Sequence, residues 1–140
     1  MATRREQILG RIVTALAGTT LVGSRIYRSR NEPFARAEFP AIVVEPTADA
    51  AEQTTVATLD WQLGVRIMIF VRGAVPDSVA DPIVADVHSK IMSDTTLNGY
   101  AIDILPTAVG FDLVEGDQPI GVISCDFAVR YRTNLNSVSG

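Results

Sequence analysis

From Trp61 to Val71 every odd position is apolar, namely Trp61, Leu63, Val65, Ile67, Ile69 and Val71, while Gln62, Gly64 and Arg66 hold the even side until Met68 and Phe70. A period of two is that of a β-strand. The second half of this strand is apolar on both faces and needs cover on both, more than a chain of 140 residues readily supplies. The expectation is a sheet shared with a neighbouring subunit. Pairing from near Val56 to Arg72 exceeds the usual ~3–10 residues, so the strand should bend or overhang the core as a protruding hairpin.

The remaining elements follow from the same reading. Thr3-Arg4-Arg5-Glu6 is a Thr-x-x-Glu capping box, and Ile8, Leu9, Ile12, Val13 and Leu16 behind it form an apolar helical stripe that Gly18 can stop. Arg4 and Arg5 oppose the positive end of the helix dipole, a hint that they serve something besides helix stability. Leu21 to Arg28 predicts a short strand, Ser29 to Phe39 an irregular charged segment, and Ala41 to Glu45 a strand closed by Pro46. Thr47 to Thr55 has no period and predicts a long exposed loop, mobile in the free subunit. Asp81-Pro82 predicts the start of a second helix carrying Ile83, Val84, Val87 and Ile91 to about Ser93, with an earlier turn available from Asp77. Leu97-Asn98-Gly99 turns into a strand from Tyr100 to Leu105, Pro106 breaks it, Val109 to Val114 forms another, and Glu115-Gly116-Asp117 is a hairpin turn. A last long strand sets Ile123, Cys125, Phe127, Val129 and Tyr131 against Ser124, Asp126, Arg130 and Arg132. The fold class expected is α/β of the α+β type, with a mixed, largely antiparallel sheet, two main helices on one face and a long protruding strand or hairpin. One domain spans residues 1–133, and 134–140 is a polar tail expected to fray.

Composition places few further limits. With 47% hydrophobic and 20% charged residues the chain is ordinary globular, and no apolar run approaches the ~20 residues that cross a bilayer, so no membrane partner is expected. A single cysteine, Cys125, allows no intrachain disulfide, and a reducing cytoplasm is the expected setting. Arg11 interrupts the apolar core that a secretory signal would need. The net charge of -4 hides a division: residues 1–36 hold seven arginines against Glu6 and Glu32, a net +5, and residues 37–140 carry -9. Such asymmetry suits subunits that meet head to tail, or a basic edge near nucleic acid; equally it describes solvated faces with no partner.

The search for chemistry finds little. His88, the only histidine, flanks the apolar stripe of the second helix with no orienting partner in sequence, and Cys125 alternates with core residues, so neither is read as catalytic and no zinc site is expected. Asp103, Asp112 and Asp126 lie on late strands and are the one set that can converge as paired carboxylates or a magnesium site, although no spacing signature requires it. No phosphate-binding glycine loop and no nucleophile elbow is present. Catalytic, cofactor and metal residues are therefore expected to be none, and the chain is read as no enzyme.

The order of parts resembles the tail terminator, or tail completion, proteins of tailed bacteriophages, including minor tail proteins of the lambda U type. The features that carry the likeness are the opening helix, Ile26-Tyr27-Arg28 with its charged loop, Phe39-Pro40-Ala41-Ile42-Val43-Val44, the long strand to Val71-Arg72, the helix from Asp81 to His88, Leu97 to Ile104, and Val129-Arg130-Tyr131-Arg132-Thr133. The resemblance implies a hexameric ring on the head-proximal end of the tail tube, which stops tube polymerisation and offers a surface to the neck. It implies as partners further copies of the chain, the tail tube protein and head-tail connector proteins, with genomic DNA passing through the lumen without sequence-specific binding. The location implied is the tail/neck junction of the virion, and the host cytoplasm during assembly. Subunit or partner contacts are expected at Arg25, Arg28, Arg30, Arg36, Glu52, Gln53, Met68 and Phe70. The alternatives are another neck or head-completion ring protein, or a small α/β enzyme or ligand-binding module using Asp103, Asp112 or Asp126.

Overall fold

Thr3 opens the first helix as its sequence predicts: the hydroxyl accepts the Glu6 amide at 3.1 Å, and α1 runs Arg4–Leu16. The computed structural model describes residues 2–114 and 118–140, so the expected turn Glu115-Gly116-Asp117 lies outside the described residues. Ile8, Leu9, Ile12 and Leu16 are buried along one side of α1. Full burial of each such side chain is worth about 1.5–3 kcal/mol over leaving it exposed.

The two opening arginines find work beyond the helix. The Arg5 guanidinium donates to Asp49 at 3.4 Å, and the Arg4 guanidinium lies 5.5 Å from the Tyr100 ring centre. The Arg4 amide, one of the unpaired donors of the first turn, donates to the Val138 carbonyl at 2.8 Å, and the Asn134 side chain donates to the Gly140 carbonyl. Residues 135–140 thus fold back onto the start of α1 where a frayed tail was expected.

Among the described residues five strands form one sheet in the order β1-β2-β3-β5-β4: β1 Ile26–Arg28, β2 Ala41–Gln53, β3 Thr58–Arg72, β4 Asp103–Val114 and β5 Ile120–Asn134. Only β1 and β2 are parallel. The second helix, α2, spans Pro76–Met92, and both helices pack on the face that carries Leu63, Val65, Ile67, Ile69 and Val71. The fold is α+β with a mixed, largely antiparallel sheet, as the hydrophobic pattern indicates.

Several boundaries differ from the sequence reading, each for a local reason. The expected loop from Thr47 is strand as far as Gln53, because the first half of β3, itself backed by β5 as far as Thr58, gives it a partner and Pro46 sits at a register shift where no ladder amide is required. At this bulge the Thr47 hydroxyl oxygen would stand 2.2 Å from a Cβ on Gly64, so a larger residue there requires the Thr47 side chain to shift. The connection shrinks to residues 54–57, the exposed tip of a long hairpin. Pro106 likewise fails to break its strand: it lies at a second register shift on the edge strand β4. The predicted strand from Leu21 survives only as Ile26–Arg28, since Leu21 and Gly23 turn the chain at φ of 66° and 63° to place Val22 in the core. Helix α2 begins at Pro76 instead of Asp81. Pro82 lies inside it without an amide to donate, and burial of Ala80, Ile83, Val87 and Ile91 holds the two halves together. The Pro76 ring sits against Gly121, 2.5 Å from where a Cβ would be, which fixes the helix start on β5.

Candidate interaction surfaces

The face of the sheet away from the helices gets part of its cover from the chain itself. The Ser29–Phe39 segment lays Phe34 over Phe70 with ring centres 4.9 Å apart, and Phe34 also meets Tyr27 at 5.6 Å and Phe39 at 5.9 Å. Ala41 and Val43 are fully buried on this face, while Met68 and Phe70 remain half-buried. The cover that the double apolar face demanded is thus partly internal, and less is left for a neighbour than the sequence implied.

Arg30 caps this aromatic group. Its guanidinium lies 4.2 Å from the Phe34 ring centre and 4.6 Å from that of Tyr27, and it forms a two-pronged pair with Glu38 at 3.0 and 3.1 Å. The Arg30 bond, helped by the Ala35 amide, holds the Glu38 carboxyl below its usual range. Arg28 reaches Glu6 at 2.7 Å, and Arg25 donates to the Pro40 and Leu21 carbonyls. Three of the four arginines expected to contact a partner are therefore engaged within the subunit. Arg36 is exposed, beside Phe39 and Arg72. Glu52 and Gln53 are exposed near the hairpin tip, distant in the sheet from the Arg30 group.

The three late carboxylates do not converge. Asp103 is held by Arg130 at 2.9 Å and Asp126 by Arg66 at 2.9 Å, and Asp112 stands exposed opposite Val122. The Arg130 bond lowers the Asp103 carboxyl, and Arg132 does the same to Asp60, so these residues form cross-strand pairs on the outer face. Among the described residues no group of His, Cys, Asp and Glu is arranged to hold a metal. His88 is exposed on α2, and Cys125 is buried, its thiol pushed up to about 11 by desolvation and the nearby Asp126.

Sequence reasoning read β4 as two strands, Tyr100 to Leu105 and Val109 to Val114, and did not place it at an edge. Hydrogen-bonded to β5 on one side, it forms an edge of the sheet, and from Leu105 to Val114 every residue is exposed on both faces. Val109, Phe111 and Leu113 line its helix side at 48%, 69% and 65% exposure. The alternation at Val109, Phe111 and Leu113 was visible, but periodicity reports a strand and not which strand lies at an edge.

No family model and no curated relative matches the chain. Structure gives more. A solved chain from the "Virion of native gene transfer agent (GTA) particle" is similar at a TM-score of 0.52 and 12% identity, over 94% of this chain and 92% of that one. The likeness is one of fold, and it runs nearly the full length of both chains.

Proposed function

We propose that this chain is a structural subunit of a phage or phage-derived virion, which caps the head-proximal end of the tail tube as a ring, ends tube polymerisation and provides the joint to the neck. The observation that carries this reading is the near full-length likeness of fold to a chain of a gene transfer agent virion. The side-chain chemistry is in keeping with it: Asp103 and Asp126 are bound to arginines and Cys125 is buried, so the groups best suited to catalysis serve packing and cross-strand pairing. A long hairpin that ends in exposed Glu52 and Gln53, together with the exposed edge strand β4, gives the subunit two surfaces suited to different neighbours. A tube is rotationally symmetric, so a subunit that stops it must match that symmetry as a closed ring, of six copies if the resemblance to tail terminators holds in full.

The test removes the chain from the particle that encodes it. The reading expects tubes of uncontrolled length without heads, restored to fixed length when the chain is supplied. Tubes of normal length that lack heads would move the chain to a connector position, and complete particles would overturn the reading.

A further inference from the structure

The two edges of the sheet differ in charge and lie on the same rows. Across the sheet Ile26 aligns with Ile42, Ile69, Ile123 and Phe111, and Arg28 aligns with Val44, Ile67, Cys125 and Val109. The β1 edge therefore sits level with the exposed apolar part of β4. Following the pairings from strand to strand, β4 runs antiparallel to β1, so a second copy in the same orientation brings β4 antiparallel against β1 of the first. That continues the sheet's own pattern.

Charge complements this geometry. From Ile91 to Val129 the sequence holds Asp94, Asp103, Asp112, Glu115, Asp117 and Asp126 and no lysine or arginine. The opposite edge carries Arg28 on β1 and Arg25 just before it, the first paired with Glu6 and the second donating only to the Pro40 and Leu21 carbonyls. An edge strand with Phe111 and Leu113 this exposed is a ready template for pairing with another chain, and exposed Asp112 on it is opposite in sign to Arg25 beside β1.

We propose that the partner of β4 is β1 of a second copy of this chain, with Val109, Phe111 and Leu113 of one subunit meeting the basic edge of the next in a head-to-tail contact. The contact is heterologous, so it closes into a ring when its rotation divides the circle. It deepens the ring reading by naming the surfaces that make it.

Two experiments on the full chain test it. In a Cys125→Ala background, copies with Val109→Cys are mixed with copies with Arg28→Cys under mild oxidation, since residues on one row of adjacent strands bring their Cβ atoms within disulfide reach. The proposal expects cross-linked pairs in the mixture and not with either variant alone. Cross-linking of Val109→Cys with itself would instead mean two-fold pairing of β4 strands and would overturn it. Sedimentation then compares wild type with Phe111→Glu/Leu113→Glu. Because both side chains are exposed in the subunit, melting should stay unchanged while self-association weakens about tenfold or more, ~1.4 kcal/mol. Unaltered assembly of the double variant overturns this contact and leaves the tube-length test untouched. A double variant that assembles normally but no longer binds tubes assigns β4 to the tube protein, also against the proposal.

Discussion

The Tyr131 hydroxyl donates a hydrogen bond to Asp49 across the intervening strand β3. Asp49 belongs to the stretch that sequence reads as a loop, and its side chain is 7% exposed, also reached by Arg5 of α1. One carboxylate thus ties β5, α1 and the far half of β2 together. Tyr131→Phe leaves that acceptor short of a partner at a cost of about 1–3 kcal/mol. Hydrogen exchange should quicken from Pro46 to Gln53 more than in the core of β3. Desolvation, with the same bond, raises the Tyr131 hydroxyl above the usual phenol range. Its share of stability is therefore complete below about pH 10 and lost as pH rises toward the raised value. The alkaline limb of a melting-versus-pH curve should be shallower in Tyr131→Phe.

Cys125 behaves as a small core residue. With its thiol pushed up to about 11, the native protein should react with a thiol reagent far more slowly than the unfolded chain at neutral pH. Cys125→Ala should cost about 1 kcal/mol through a small cavity and leave assembly intact. A folded alanine variant that no longer assembles would contradict the core assignment.

On the acid side, Glu6, Glu38, Asp60 and Asp103 are each lowered by the arginine that binds them, Arg28, Arg30, Arg132 and Arg130. A lowered carboxylate contributes stability above its unfolded value of about 4 and loses it as pH falls through the folded one. Melting temperature should therefore hold between pH 7 and about 5 and fall below about 4. These pairs are exposed and salt weakens them, so the fall should be shallower at high ionic strength.

Reversal of Arg28 or Arg30 breaks internal pairs with Glu6 and Glu38 and so mixes two effects. Arg36, exposed beside Phe39 and Arg72, tests the contribution of the basic first quarter without that complication. Arg36→Glu should leave melting unchanged and weaken self-association, and added salt should weaken the wild-type contact while affecting the variant less. Equal salt dependence in the two, measured by sedimentation, would exclude Arg36 from the contact.

The sequence made the fold legible wherever one face was buried. The α1 stripe, the alternation in β3 and β5, and the Leu97-Asn98-Gly99 turn all have local periods or backbone demands, and each forms where expected. What it hid depends on partners distant in the chain. Pro46 and Pro106 read as strand breakers because the register shifts that accommodate them exist only once β3 and β5 are in place. The ion pairs of Arg28 and Asp103 were likewise invisible, since Glu6 and Arg130 lie 22 and 27 residues away. For that reason the arginines read as partner contacts and the late aspartates as a possible convergence. The exposed edge β4 is a property of strand order, which no local pattern encodes.

The most direct measurement is to locate the chain in its particle. A three-dimensional reconstruction by electron microscopy, with the chain carrying a small tag after Gly140, should show the tagged density as a single ring between the end of the tail tube and the neck. Density spread along the tube, within the capsid, or absent from the particle would contradict the account.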